Sequence, residues 1–151
     1  MTQPLKTYTL SDGLLEFPRE LFDHVETLEV LDLSGNELSS LPEEFHRFSK
    51  LKRLFLSQNK FKVFPKVLAK CESLEMLGFK SNQIHTLSPD SLPEKTRWLI
   101  LTDNQLESLP EDIGQLSRLQ KLMLAGNRLK ALPEALAQCQ NLQLLRIAAN
   151  D

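Results

Sequence analysis

A single repeated unit dominates this chain. The segments LEVLDLSGN, LKRLFLSQN, LEMLGFKSN, TRWLILTDN, LQKLMLAGN and LQLLRIAAN end at Asn36, Asn59, Asn82, Asn104, Asn127 and Asn150, with successive spacings of 23, 23, 22, 23 and 23 residues. After each of the first five Asn comes xLxxLP or a near variant, with proline at Pro42, Pro65, Pro110 and Pro133; after Asn82 it is displaced one place, to Pro89. A unit this short cannot enclose a core by itself. Stacked turns of chain can, because each covers the apolar side of its neighbour.

Within each unit the LxL stretch alternates with period two, so Leu31 and Leu33, or Leu122 and Leu124, point to one side of a short strand and the residues between them to the other. The six Asn then align where the chain leaves each strand, and their side chains can bond backbone groups that the bend would otherwise bury unpaired. That role is structural. On the return path, Phe45 and Phe48, Leu68 and Cys71, Ile113 and Leu116, and Leu136 and Cys139 recur at i, i+3, which suits one turn of helix or 3₁₀ helix opened by proline. The stretch SPDSLPEKTRWL is one residue short, has a second proline at Pro93 and puts Thr96 where other units have Leu, so an extended return is expected there.

The spacing LxxLxLxxN followed by LPxxLxxL resembles the leucine-rich repeat in its 23-residue form. The resemblance implies an α/β solenoid: a right-handed horseshoe arc with a concave parallel sheet and short helical or 3₁₀ segments outside. Residues 1–27 are expected to be an atypical N-terminal capping repeat, with Leu5, Tyr8 and Leu10 in a first strand and Asp12 or Gly13 in place of the Asn; 28–151 hold six further strands, the last repeat incomplete. The sequence stops directly after a strand with no return to cover Leu142, Leu145 and Ile147, which reads as a piece of a longer protein. A monomer, or weak end-to-end association through that last repeat, is expected.

Outward strand positions carry the functional information, since folding does not dictate them. One column reads Thr7, Val30, Arg53, Met76, Trp98, Lys121, Leu144, and the next Thr9, Asp32, Phe55, Gly78, Ile100, Met123, Arg146. Phe55, Met76, Trp98, Ile100 and Met123 should therefore form one apolar patch, which is the usual mark of a protein-binding surface. The binding set comprises Val30, Arg53, Phe55, Met76, Gly78, Trp98, Ile100, Lys121, Met123 and Leu144. Gly78, between Phe55 and Ile100, should leave a hollow for a partner's side chain, and Lys52, Arg53, Lys80, Arg97 and Lys121 with Glu29, Asp32, Glu75 and Asp103 should form a mixed-charge rim. The other reading is that these groups pack on one another across the sheet and only stabilise it.

Other function classes lack their residues. A net charge of −2 with acids and bases interleaved offers no basic stripe for a phosphate backbone, so no nucleic-acid role is expected. No stretch approaches the roughly 18 apolar residues of a membrane span, and no leader pattern opens the chain, so a cytoplasmic location is expected. Cys71 and Cys139 lie three repeats apart, about 14 Å at the usual strand spacing, beyond the ~7 Å a disulfide allows, and should be reduced core thiols. His24, His46 and His85 share no ligand spacing, so neither a metal nor a cofactor is expected. No P-loop, nucleophile elbow or acid–base cluster appears, and the chain is not expected to be an enzyme.

The stretches GLLEFPRELFDHVETLEVLDLSGN, RWLILTDN and LQKLMLAGNRLKALP further resemble the N-terminal repeats of bacterial leucine-rich-repeat protein kinases. That implies a sensor or substrate-docking module of a larger signalling protein, whose kinase motifs have no counterpart in this chain. The alternative is the substrate-recognition half of a bacterial effector such as a ubiquitin ligase; those repeats are usually shorter, and Cys71 and Cys139 occupy core positions with no neighbouring acid or base motif.

Overall fold

The computed structural model describes residues 4–150. Seven three-residue strands, β1 (Thr7–Thr9), β2 (Val30–Asp32), β3 (Arg53–Phe55), β4 (Met76–Gly78), β5 (Trp98–Ile100), β6 (Lys121–Met123) and β7 (Leu144–Arg146), form one parallel sheet in sequence order. Register follows the repeat: Leu31 pairs with Leu54, Leu54 with Leu77, Leu77 with Leu99, and Leu99 with Leu122. These central leucines are fully buried, as are Leu33, Leu56, Leu101 and Leu124 at the other inward position. Burying both inward residues at each of β2 to β6 is what fixes the register, since a one-residue slip would turn these apolar side chains to solvent.

The Asn side chains knit consecutive turns together. Asn59 is typical: its Oδ1 accepts from the Leu38 amide at 2.9 Å, and its Nδ2 donates to the carbonyls of Leu33 at 3.0 Å and Leu56 at 3.1 Å. Asn82, Asn104, Asn127 and Asn150 repeat the scheme, and Asn36 serves the amides of Asp12 and Leu14. Each Asn thus bonds its own unit and the one before it. The residue preceding each Asn turns through the left-handed region, at Gly35, Gln58, Ser81, Asp103, Gly126 and Ala149, which aims the amide into the core. Only two of these six are glycine, the residue that adopts such a φ without strain.

The outer segments are 3₁₀ helices, at Arg19–His24, Glu43–Arg47, Lys66–Lys70, Glu111–Gln115 and Glu134–Gln138, and no α-helix occurs among the described residues. Each follows a proline whose carbonyl accepts the first i→i+3 bond, as from Phe45 to Pro42 at 3.0 Å and Leu136 to Pro133 at 3.1 Å. The short unit between β4 and β5 has no helix, and its return is a series of turns in place of the extended segment expected there. Ser91 and Thr96 stand there in core positions fully buried, and each hydroxyl donates to a local carbonyl, of Ser88 and Pro93, at 2.6 Å. The missing residue is absorbed on this outer side, so the sheet register passes through it undisturbed.

Of the three residues expected in the first strand only Tyr8 lies within β1; Leu5 and Leu10 flank it, and all three pack partly buried against the core, with Gly13 at a left-handed φ of 65°. Phe17, Phe22, Phe45 and Phe48 close the core behind β1 and β2, and the guanidinium groups of Arg19 and Arg47 lie over the Phe22 ring at 5.0 and 5.5 Å. Cys71 and Cys139 are free and buried, as the spacing argument requires. Burial pushes the Cys71 thiol up to about 12 and raises that of Cys139, so neither is a ready nucleophile. No helix among the described residues is long and apolar enough to cross a membrane, and none of their His, Cys, Asp and Glu side chains gather in threes as a metal site would need.

Candidate partner-binding face

Strands of three residues expose two side chains each on the inner face of the arc. The register places them in two columns: Thr7, Val30, Arg53, Met76, Trp98, Lys121, Leu144, and Thr9, Asp32, Phe55, Gly78, Ile100, Met123, Arg146. Met76 and Trp98 are therefore neighbours, and so are Gly78, Ile100 and Met123, with Phe55 at the end of that run. All ten residues expected to bind a partner share this face. Val30 and Leu144 lie two strands or more from Trp98, toward the two ends of the row.

The patch is less open than the sequence suggests. Phe55, Met76, Trp98, Ile100 and Met123 are half-buried, and the large apolar side chains that are freely exposed, Leu15, Val63 and Ile147, all lie off these columns. The hollow expected at Gly78 is filled. A Cβ on Gly78 would stand 3.0 Å from Cδ1 of Phe55, whose ring leans across the gap left by the missing side chain and buries the glycine. Gly78 is thus the seat of Phe55 and not a socket for a partner. Trp98 is covered in a similar way: the Lys121 ammonium sits 4.0 Å from the centre of its ring, a cation–π contact between register partners. The indole N–H of Trp98 is shielded from water and has no acceptor among the described residues.

Part of the mixed-charge rim is already paired. Glu75 is engaged by Arg97 at 3.2 Å, and Arg97 donates to Gln120 as well, forming a chain along the strand entrances. Asp32 accepts from the Ser34 amide at 2.9 Å and stands at the β2 end of its column. From β3 to β7 the two columns hold Arg53, Lys121 and Arg146 and no acid. Neither ion pair found among the described residues takes in any of these three cations. Sequence reasoning counted the charges correctly but could not see which were already paired.

Comparison with known proteins agrees with this architecture. A family model described as leucine-rich repeat matches residues 10–61 and 94–151. The chain is 36% identical over 112 residues to a mouse leucine-rich repeat and calponin homology domain-containing protein 1, covering 72% of this chain and 16% of that protein. It is 38% identical over 108 residues to a probable serine/threonine-protein kinase, pats1, of Dictyostelium discoideum, covering 68% of this chain and 3% of the kinase. Among solved structures, a plant peptide hormone receptor, RGFR1 in complex with RGF2, superposes with a TM-score of 0.77 at 32% identity, over 97% of this chain and 28% of the receptor chain. The chain therefore spans a small part of the curated relatives it matches. Repeat spacing, sheet register, the Asn ladder and these matches agree: the chain belongs to the leucine-rich-repeat family.

Proposed function

We propose that this chain is a recognition module that binds a protein partner along the concave face of β3 to β6. The observation carrying this reading is that register brings Phe55, Met76, Trp98, Ile100 and Met123 together on a face the fold does not require to be apolar. The solved plant receptor, similar over nearly the whole chain, is described as a complex with RGF2, which supports the same use of the fold. Likeness to a probable Ser/Thr kinase supports the finer reading of a docking module within a larger signalling protein, as in the bacterial leucine-rich-repeat kinases. In that reading residues 1–27 act as the capping repeat, 28–151 carry the recognition repeats, and a reducing cytoplasm keeps Cys71 and Cys139 as thiols. Low-affinity contact between copies through β7, which the exposed Ile147 directly follows, is a second use of the sheet that sedimentation over a range of concentrations would reveal.

The test is a comparison of the wild-type chain with Trp98→Ala, Phe55→Ala and the outer-surface control Lys130→Ala. A partner retained by wild type and control but weakened about tenfold or more by both concave variants, with cooperative unfolding preserved, supports the reading. If both concave variants keep wild-type affinity, the patch only packs on itself.

A further inference from the structure

Among the described residues, the concave face holds cations in no ion pair and a shielded donor with no acceptor. Arg53 and Lys121 share one column with Met76 and Trp98 between them; Arg146 ends the neighbouring column after Ile100 and Met123. The whole chain carries a net charge of −2, yet these two columns from β3 to β7 carry only positive charge. At their centre the Trp98 indole N–H has no acceptor among the described residues, and the Lys121 ammonium rests on the Trp98 ring.

We infer that the partner's bound segment is an extended acidic–apolar stretch, with carboxylates at i and i+4 flanking an apolar residue at i+2. The inference rests on the concave-face reading above and adds the chemistry of the ligand. Three strand spacings separate Arg53 from Lys121, about 14 Å, and an extended chain advances about 13–14 Å over four residues. Positions i, i+2 and i+4 of such a segment face the same way, so one apolar side chain falls over Met76 and Trp98 while the two acids reach the flanking cations. The outer carboxylate pairs with Arg53; the inner one draws the Lys121 ammonium from the indole ring. A basic segment would meet unpaired cations on both sides of the patch and be repelled.

Trp98 is the sole tryptophan, so its fluorescence reports on this patch alone. The test is titration of the full chain, at low salt, with three synthetic peptides of one design: Glu-Ser-Leu-Ser-Glu-Ser-Leu-Ser-Glu, its Gln-for-Glu counterpart and its Lys-for-Glu counterpart. The acidic peptide should perturb Trp98 emission and bind about tenfold more tightly than the Gln peptide, an advantage two exposed charge contacts can supply. The double variant Arg53→Gln with Lys121→Gln should lose that advantage and bind the Glu and Gln peptides with equal affinity. Equal binding of the Glu and Gln peptides, preference for the Lys peptide, or equal perturbation by a single-stranded oligonucleotide would overturn the inference. So would silence of all three peptides; if a natural partner were then still lost on Trp98→Ala, the concave-face reading would survive while the acidic segment would not.

Discussion

Asn104→Ala tests the ladder in its buried interior. The Asn104 side chain accepts from the Ile84 amide at 2.9 Å and donates to the carbonyls of Phe79 and Leu101, both at 3.0 Å. The two carbonyls would not be abandoned, because Phe79 also receives Nδ2 of Asn82 and Leu101 that of Asn127. The Ile84 amide has no second acceptor among the described residues, and its residue is fully buried. Orphaning one such amide costs about 1–3 kcal/mol, and two shared bonds add about 0.5 kcal/mol each, so the variant should lose about 3 kcal/mol. That is roughly a hundredfold in the folding equilibrium. Urea unfolding gives the total, and native-state hydrogen exchange gives the place: protection should fall at Ile84 ahead of the strand amides. Asn150→Ala is the internal control, with the same bonds to Leu129 and Leu124 at a half-buried position, and should cost about 1 kcal/mol because water can reach the freed groups. A loss below 1 kcal/mol at Asn104, or equal losses at both sites, would refute the argument from buried amides.

Gly114→Ala should destabilise by about 1–3 kcal/mol in urea, because its Cβ would collide with the Ala135 carbonyl on the adjacent 3₁₀ segment and backbone cannot give way as a side chain can. Gly78→Ala meets only the edge of the Phe55 ring at 3.0 Å and should cost under about 1 kcal/mol in the same assay, with the ring displaced outward. Alkali should act through Cys71: its folded pKa of about 12 lies above the ordinary 9.0, so stability is intact below pH 9 and falls by about 1.4 kcal/mol per pH unit between 9 and 12. Cys71→Val should flatten that slope relative to wild type in denaturant melts at pH 8 to 11, and an unchanged slope would show that other groups govern it.

The sheet was legible because its register is an arithmetic consequence of the repeat. Positions one unit apart become neighbours whatever their side chains, so Met76 opposite Trp98 and Ile100 opposite Met123 follow from alignment alone. Even the 22-residue unit kept its place, since the deletion falls in the outer return, where Ser91 and Thr96 satisfy themselves locally. What the sequence concealed lies one level down. Gln58, Ser81, Asp103 and Ala149 take a left-handed φ with no glycine to announce it, because the ladder Asn that follows each one dictates the turn. The lean of Phe55 over Gly78 and of Lys121 over Trp98 depends on rotamers, which neighbours choose and periodicity does not encode. Pairing of charges was hidden for the same reason: Arg97 and Glu75 find each other across strands, while Arg53 faces Met76.

The one-directional reach of each Asn has an evolutionary corollary. Asn59 serves Leu38 and Leu33 behind it and Leu56 in its own unit, and it needs nothing in particular from the unit ahead except a successor that does likewise. A gene segment running from just after one Asn codon to the next can thus be duplicated, lost or exchanged without redesign of the junction, provided the inward leucines are kept. Each such exchange would swap two side chains of the inner surface at a stroke. Surfaces of this kind can diversify by recombination faster than point mutation allows, with the scaffold unchanged.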